Sequence, residues 1–405
     1  MNILYIEHYA GSPSMGMEFR PYYLSREWVK MGHSVTIVAA DYSHLRSHNP
    51  TVQDDLQEEN IDGITYVWIK TGSYEGNGGQ RAITMFKFVH KVRKYSKRLV
   101  ERFKPDIVIA SSTYPLDTYA AQRIRKISKA KYIHEVHDMW PATLYEVGGM
   151  SKTNPFVVLM QIAENSAYKK CDDLVALLPY SKDYMVEHGL KPDKFHNIQN
   201  GVVEEEWLSD IKIPDSHRSF FEAHKDKFIV GYFGGHALSN ALDKLLDAAK
   251  KMTDPDVLFV LVGKGVEKEA LIERANKEEI KNLFFLDPVD KKAVPDLVQH
   301  FDCSIMTGAP SPLYRFGLCL NKMYDSMMAD KPVICAMTAP KTLVEEFNCG
   351  VQVNEVDSDH IIEAIESIKN MSDEDRELLG RNGKKAVLDN FTYKSLAEQF
   401  VEIMK

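Results

Sequence analysis

The side chains best suited to chemistry crowd into two short stretches. One is His134-Glu135-Val136-His137-Asp138-Met139-Trp140-Pro141, where imidazoles and carboxylates close an apolar run. Titratable groups gathered at a strand end are placed where burial and mutual charge tune acids and bases. The plainer account is a hydrogen-bonded structural histidine. The clustering favours a site, with His137 and Asp138 as its catalytic candidates. The other stretch runs from Tyr314-Arg315-Phe316-Gly317 through Asn321-Lys322-Met323-Tyr324-Asp325 to Asp330-Lys331-Pro332. Asn321 is placed as the cap of a helix running to about Ala329, and Asp325, four residues on, shares its face. The N–H groups of that helix start, with Arg315 or Lys322, suit a diphosphate, and Asp325 suits ribose hydroxyls. The plainer account is an amphipathic core helix with solvated charges.

Two glycine-bearing loops complete the set. The first is Glu7-His8-Tyr9-Ala10-Gly11-Ser12-Pro13-Ser14-Met15-Gly16, which leads into a helix expected to start near Met17. The second is Val262-Gly263-Lys264-Gly265, ahead of a helix expected over 267–276. Glycines let backbone approach a ligand closely, and a helix start favours an anion. Each loop also reads as a plain tight connection, and neither carries a strict G-x-G-x-x-G.

Elements must hold these residues in place. Short apolar runs at 2–6, 34–39, 64–70, 106–111, 131–135, 173–178 and 196–198 alternate with amphipathic stretches. A second series follows at 228–233, 257–262, 283–286, 303–306, 333–335 and 351–353. Many are β-branched without polar alternation, as in strands of a parallel sheet covered on both faces. Strand–helix alternation throughout means α/β architecture. Ligands of such sheets bind beyond the carboxyl ends of strands, which is where the candidate residues fall. The pattern pauses over 202–227 and restarts, so a boundary is expected near 201–204.

These residues resemble the retaining glycosyltransferases of family four, which have the GT-B fold. Leu24-x(7)-Gly32-His33-x-Val35-x-Ile37 is similar to that family's first helix entering strand two. Asn200-Gly201-Val202 resembles its interdomain signature, and Lys322-Met323-Tyr324-Asp325-x(4)-Asp330-Lys331-Pro332-Val333-Ile334 its donor-binding helix and next strand. Tyr22-Tyr23, His137-Asp138-Met139-Trp140-Pro141 and Tyr314-Arg315-Phe316-Gly317 resemble bacterial surface-polysaccharide enzymes of the fucosamine-transferase type.

The resemblance implies two Rossmann-like domains facing across a cleft, over 1–202 and 203–391, with a final helix over 392–405 crossing back to the first. Phe391, Leu396, Phe400 and Ile403 would form that helix's apolar face. It implies sugar transfer with retention from a nucleotide-diphosphate sugar, UDP-linked, to a polyprenyl-diphosphate-linked glycan. No divalent metal is implied, and no cofactor beyond the sugar nucleotide as co-substrate. On this reading Gly16, Gly235, Gly263, Gly265, Arg315, Asn321, Lys322 and Asp325 hold the donor, and Ser14 and Arg20 the acceptor. His137 would touch the donor sugar or its phosphate.

The chain departs from the family pattern at four positions. Of two glutamates eight positions apart, the second is Asp325 and the first is Gly317. The usual basic pair after the second domain's first strand falls at Gly235 and Asn240. Arg315 and Lys322 are the expected substitutes. Two other readings follow: a nucleotide-sugar 2-epimerase on the same architecture, and a sugar-nucleotide-binding scaffold without catalysis.

Composition sets the outer limits. A net charge of −8 over 405 residues excludes a nucleic-acid polycation, so no nucleic-acid partner is expected. Five cysteines without a C-x-x-C pair fit reduced thiols in a cytoplasm. No basic, apolar leader opens the chain, and no run reaches a membrane span, so membrane work would be done from the surface. One stretch, 85–104, suits that: Phe88, Val92, Tyr95, Leu99 and Phe103 line one helical face among eight basic residues. It could meet an anionic membrane, or its stripe could pack on the sheet with the charges solvated, or both could hold, with the stripe buried and the charges facing lipid head groups.

Overall fold

The computed structural model describes residues 1–16, 19–76 and 78–405. It divides into two compact units, Met1–Gln199 with Tyr393–Lys405, and Asn200–Thr392.

The first unit is built on an eight-stranded sheet. Its strands are β1 (Asn2–Ile6), β2 (Ser34–Ala40), β3 (Gln57–Ile61), β4 (Ile64–Ile69), β5 (Ile107–Ala110), β6 (Lys131–Val136), β7 (Asp173–Ala176) and β8 (Phe195–Asn197). Their order is β3-β4-β2-β1-β5-β6-β7-β8. β1 pairs in parallel with β2 and β5, so the winding reverses there, the switch point beside which such sheets bind ligands. Among the described residues of this sheet, only the β3–β4 pair is antiparallel. β3 has no counterpart among the expected strands, because Gln57–Ile61 is polar and exposed at the sheet edge. Its two-residue link, Asp62-Gly63, has positive φ at both positions, 53° and 84°, the turn that suits a tight hairpin.

Helices α1 (Phe19–Lys30), α2 (Gly79–Phe103), α3 (Thr118–Ser128) and α4 (Pro155–Lys170) accompany this sheet. The expected helix start at Met17 lies outside the described residues. The apolar stripe of 85–104 is buried, while its basic residues Arg93, Lys94, Lys97 and Arg98 stay exposed. Phe88, Val92 and Leu99 are 0%, 0% and 1% exposed, so they are not available to lipid. Removing such side chains from water is worth about 2 kcal/mol each, which a solvated stripe would forfeit.

The C-terminal helix, Tyr393–Met404, packs on α1. Trp28 Nε1 donates to the Ala397 carbonyl at 3.1 Å, and the Trp28 and Phe400 rings lie 5.4 Å apart. Phe391, read from the sequence with this helix, belongs to the second unit, 5.3 Å from the Tyr324 ring. The units part at 199/200 because Val202 N bonds the Phe391 carbonyl at 2.9 Å and Val202 bridges Thr392.

The second unit holds six strands: β9 (Phe228–Gly235), β10 (Val257–Lys264), β11 (Leu283–Leu286), β12 (Cys303–Thr307), β13 (Val333–Ala336) and β14 (Gly350–Val353). They run parallel in the order β11-β10-β9-β12-β13-β14, and the winding reverses at β9. Val230 and Tyr232 join Phe259, Leu261 and Ile305 in one core, while Ile229 joins Val260, Val262 and Phe301 in another. Successive strand residues thus enter opposite cores, which explains apolar runs without alternation. Helices α5 (Asp243–Lys251), α6 (Lys268–Lys277) and α7 (Asn321–Met328) belong to this unit.

Candidate functional site

In the first unit, titratable side chains meet where β1, β5 and β6 end. Glu135, on β6 and fully buried, is their hub. Its Oε2 accepts from Tyr5 OH and from Ser111 Oγ, both at 2.5 Å, and its Oε1 accepts from Arg20 Nε at 2.9 Å. His137 lies two residues on, hence on the same strand face. Its Nε2 is 2.8 Å from Ser111 Oγ and 3.3 Å from Glu135 Oε2. With the serine hydroxyl donating to Glu135, its oxygen is left to accept, which places a proton on Nε2 of His137. Burial alone would raise the Glu135 pKa. The Arg20 charge, His137 and the Ser111 hydrogen bond outweigh it and hold the carboxyl well below its usual range.

His137 keeps 15% of its side chain exposed, so it can be reached from outside, and Asp138 beside it is exposed. Arg20, expected at the acceptor, is instead a buried brace. It is 5% exposed and its guanidinium also donates to the carbonyls of Gln199 at 2.6 Å and Ile198 at 2.9 Å. Ser14 is exposed in the loop after β1, its Oγ 2.9 Å from Ser12 Oγ. Gly16 has φ of 91°, and a Cβ there would stand 2.6 Å from Ser47 Oγ. Packing against the loop after β2 therefore accounts for that glycine.

Ser111 and Asp117 belong to this cluster although no sequence signal named them. Asp117 is buried, accepts from Ser112 N at 2.8 Å, and burial pushes its carboxyl up to about 7. Glu135 was legible: it is a carboxylate on the same strand face as His137.

In the second unit, the candidates gather where β9 ends. Lys322, on α7, donates Nζ to Asn240 Oδ1 at 2.9 Å and to Tyr232 OH at 3.3 Å, above the Tyr232 ring. Asn240 Nδ2 and Tyr232 OH each donate to the Gly235 carbonyl at 2.8 Å. Lys322, Asn240, Tyr232 and Gly235 thus form one group. Burial lowers the Lys322 ammonium to about 8.

Arg315 makes contacts of its own. It is exposed, stacked on its neighbour Phe316 at 4.2 Å, and donates to the Pro312 carbonyl. Asn321 is not the helix cap. It is the first helical residue, exposed, and Leu320 takes the cap position with no side-chain hydrogen bond. The amides of that helix start are therefore not satisfied by a cap. Asp325 is half-buried and takes a hydrogen bond from the Trp207 side chain. Burial, with Glu206 nearby, pushes its carboxyl up to about 6 against the opposing Lys291 charge.

Gly263 has φ of 153°, and its Cβ would meet the Gly234 carbonyl at 1.9 Å, while that of Gly265 would meet the His236 carbonyl at 2.1 Å. Both glycines thus seat the end of β10 against that of β9. Gly317 has φ of 92° and ψ of −178°, backbone that only glycine adopts readily.

Asp-x-Asp triplets occur at 254–256, 357–359 and 373–375, and all sit at turns or helix starts. Among the described residues, Glu355, Asp357 and His360 come close enough together to hold a cation, at the surface. His360 Nδ1 is 2.9 Å from Asp357 Oδ2, an ordinary cap pairing.

Comparison with known proteins bears on the two units that carry these groups. Residues 15–206 match the model described as Glycosyltransferase Family 4, and residues 215–386 match Glycosyl transferases group 1. The putative colanic acid biosynthesis glycosyl transferase WcaI of Escherichia coli (strain K12) is 21% identical over 51% of this chain and 51% of its own length. The putative teichuronic acid biosynthesis glycosyltransferase TuaH of Bacillus subtilis (strain 168) is 24% identical over 62% of this chain and 59% of its own length. The chain thus spans between half and three-fifths of these relatives. Among solved structures, sucrose-phosphate synthase from Thermosynechococcus elongatus superposes with a TM-score of 0.72 at 16% identity, covering 99% of this chain and 97% of that one. Anabaena HepE in complex with UDP superposes with a TM-score of 0.68 at 17% identity, covering 99% of each chain. A domain matching glycosyltransferase family four is thus followed by one matching glycosyl transferases group 1, on two parallel-sheet units, and the chain has the GT-B fold.

Proposed function

We propose that the protein transfers a sugar, with retention and without a metal ion, from a UDP-sugar to a polyprenyl-diphosphate-linked glycan. Its proposed place is the cytoplasmic side of a bacterial membrane, in surface-polysaccharide assembly. The observation that carries this reading is the Lys322–Asn240 contact at the end of β9, beside the uncapped start of α7. A cation and free helix amides at a parallel-sheet switch point suit a diphosphate. The solved relative in complex with UDP supports that choice of donor, and the colanic and teichuronic acid relatives support the polysaccharide setting.

Departure of UDP leaves an oxocarbenium-like centre, so the chemistry needs placed charges more than a covalent nucleophile. In this reading Lys322 and the α7 amides take the diphosphate, Asp325 the ribose, and His137 the transferring sugar. The Nε2 proton of His137, backed by Glu135 through Ser111, provides a donor for a sugar oxygen or phosphate.

A donor screen read by nucleotide release, with a lipid-diphosphate sugar as acceptor, tests this. UDP release that requires the acceptor is expected. Release of UDP with a free epimerised sugar would decide for a 2-epimerase. A scaffold without catalysis has one observation in its favour, the absence of a carboxylate at Gly317. It predicts nucleotide binding with no release on any acceptor.

A further inference from the structure

One face of the first unit joins an apolar patch to uncompensated positive charge. α2, α3 and α4 enclose a groove of 650 Å³ lined by Phe86, Val89, Leu116, Tyr119 and Leu159. Around it, Ile83 and Phe86 on α2 are 54% and 42% exposed, and Val158 and Ile162 on α4 are 42% and 54% exposed. The Phe86 ring lies 6.4 Å from that of Phe156, so the two helices contribute to one patch. These are not the residues of the buried α2 stripe; they stand on the outward side of the helices.

A second groove, of 880 Å³, shares Arg93, Tyr119 and Arg123 with the first. It is lined by lysines and arginines with one acidic residue, Asp172. Arg125 pairs with Asp172, and Lys131 with Asp173. Among the described residues, Arg93, Arg123, Lys126, Lys129 and Lys170 have no carboxylate partner. In a chain with a net charge of −8, such a concentration of unpaired cations calls for an anion from outside. An apolar patch alone would suit a second protein, and a basic groove alone a free polyanion. Sharing one rim, they suit an amphiphile with an anionic head.

We propose that this face docks on a membrane containing anionic lipid. Ile83, Phe86, Val158 and Ile162 enter the headgroup boundary, while Arg93, Arg123, Lys126 and Lys129 meet lipid phosphates. The proposal rests on the reading that the acceptor is lipid-linked. It also has a geometric link to that reading: Arg81, one turn before the patch on α2, donates Nε to Tyr9 OH at 3.2 Å in the loop after β1. Arg81 thus joins the helix of the docking face to the loop that carries Ser14.

The test is co-sedimentation of the full chain with phosphatidylcholine vesicles, with and without phosphatidylglycerol, at low and high salt. Binding should require phosphatidylglycerol and weaken with salt. Neutralising one basic residue at the lipid surface lowers binding about fivefold, so Arg123→Glu with Lys126→Glu should cut it about twentyfold or more. Ile83→Ser with Phe86→Ser should weaken binding and make the remainder more salt-sensitive. Both pairs are surface changes outside the half-sites, so UDP affinity and thermal melting should stay as in the parent. Equal uptake by neutral vesicles, or indifference to both variants, overturns the proposal. So does self-association abolished by these variants without vesicle uptake, which assigns the face to a second copy, or RNA binding without vesicle uptake. Absence of docking by the parent chain, with acceptor-dependent UDP release intact, overturns this inference alone. Docking without such release overturns the enzymatic reading and leaves the membrane surface standing.

Discussion

Lys322 Nζ lies 2.9 Å from Asn240 Oδ1, and Asn240 occupies a position where the family pattern has a cation. The positive charge at the end of β9 is thus supplied by a helix that follows β12, not by the loop after β9 itself. Lys322→Ala should weaken UDP binding by about 1.5–3 kcal/mol, the scale of a charged hydrogen bond, while leaving uridine almost unaffected. Adding Asn240→Lys to that variant should restore much of the loss. Calorimetry with both ligands checks this; equal losses for UDP and uridine would remove Lys322 from the phosphates. Arg315→Ala should cost less, since its guanidinium is stacked on Phe316 and bonded to Pro312.

Two of the shifted groups in the second unit set opposite limits on nucleotide binding. Burial pushes Asp325 up to about 6 and lowers Lys322 to about 8. An ionised Asp325 is available above about 6, and a charged Lys322 below about 8. UDP affinity should therefore rise as pH increases through the first value and fall as it increases through the second. Asp325→Asn should abolish the acid limb and Lys322→Ala the alkaline one. A profile that stays flat in the parent protein would count against both roles.

The Glu135 carboxylate is stabilised by Arg20, so the pair is also a stability element. Its folded pKa is depressed, so its contribution is present above the ordinary glutamate value and is lost as pH falls below it. Arg20→Ala leaves a buried carboxylate without its partner and should cost about 3–5 kcal/mol. Denaturant unfolding at neutral and acid pH measures this. The deficit should shrink in acid; a deficit independent of pH would point to lost packing instead.

His137→Ala should lower turnover about a hundredfold, the usual scale for a lost transition-state donor, with UDP affinity nearly unchanged. Ser111→Ala should reduce turnover less, because the His137–Glu135 contact at 3.3 Å remains. Single-turnover kinetics beside calorimetry separates the two effects. An affinity loss matching the rate loss would make His137 a binding residue.

Gly317 stands in backbone that side chains disfavour, with φ of 92° and ψ of −178°. Gly317→Ala should cost about 1–3 kcal/mol of stability. Gly317→Glu, which restores the family's pattern on paper, should cost at least as much and gain no activity. Thermal melts and rates decide; a stable, faster Gly317→Glu protein would refute the backbone account.

Some of these relationships could be read in advance. Glu135 and His137 are two apart where β6 ends, so continuing the pleat by one residue sends both side chains to the same side. The Asp62-Gly63 turn was also legible, yet β3 went unread because Gln57–Ile61 has no apolar pattern and is held by pairing with β4. Asn321 looked like a cap because asparagine favours that position. The chain enters α7 one residue earlier, with Leu320 in extended backbone.

Strand positions, strand–helix alternation and the strand-end location of His137 and of the β9 loop followed from the sequence by itself. Each depends on local periodicity, and burial on both sheet faces leaves a continuous apolar run that short-range pattern reveals. The tertiary structure alone decided which charges meet. Arg20 and Glu135 are 115 residues apart, and Asn240 and Lys322 are 82 apart. It also decided that Gly16, Gly263 and Gly265 give way to neighbouring chain, and that the α2 stripe faces inward. Such outcomes depend on how strands are ordered across a sheet and how closely their loops approach. Ångström-scale separations between distant segments arise from packing the whole unit, and no residue's local pattern contains them.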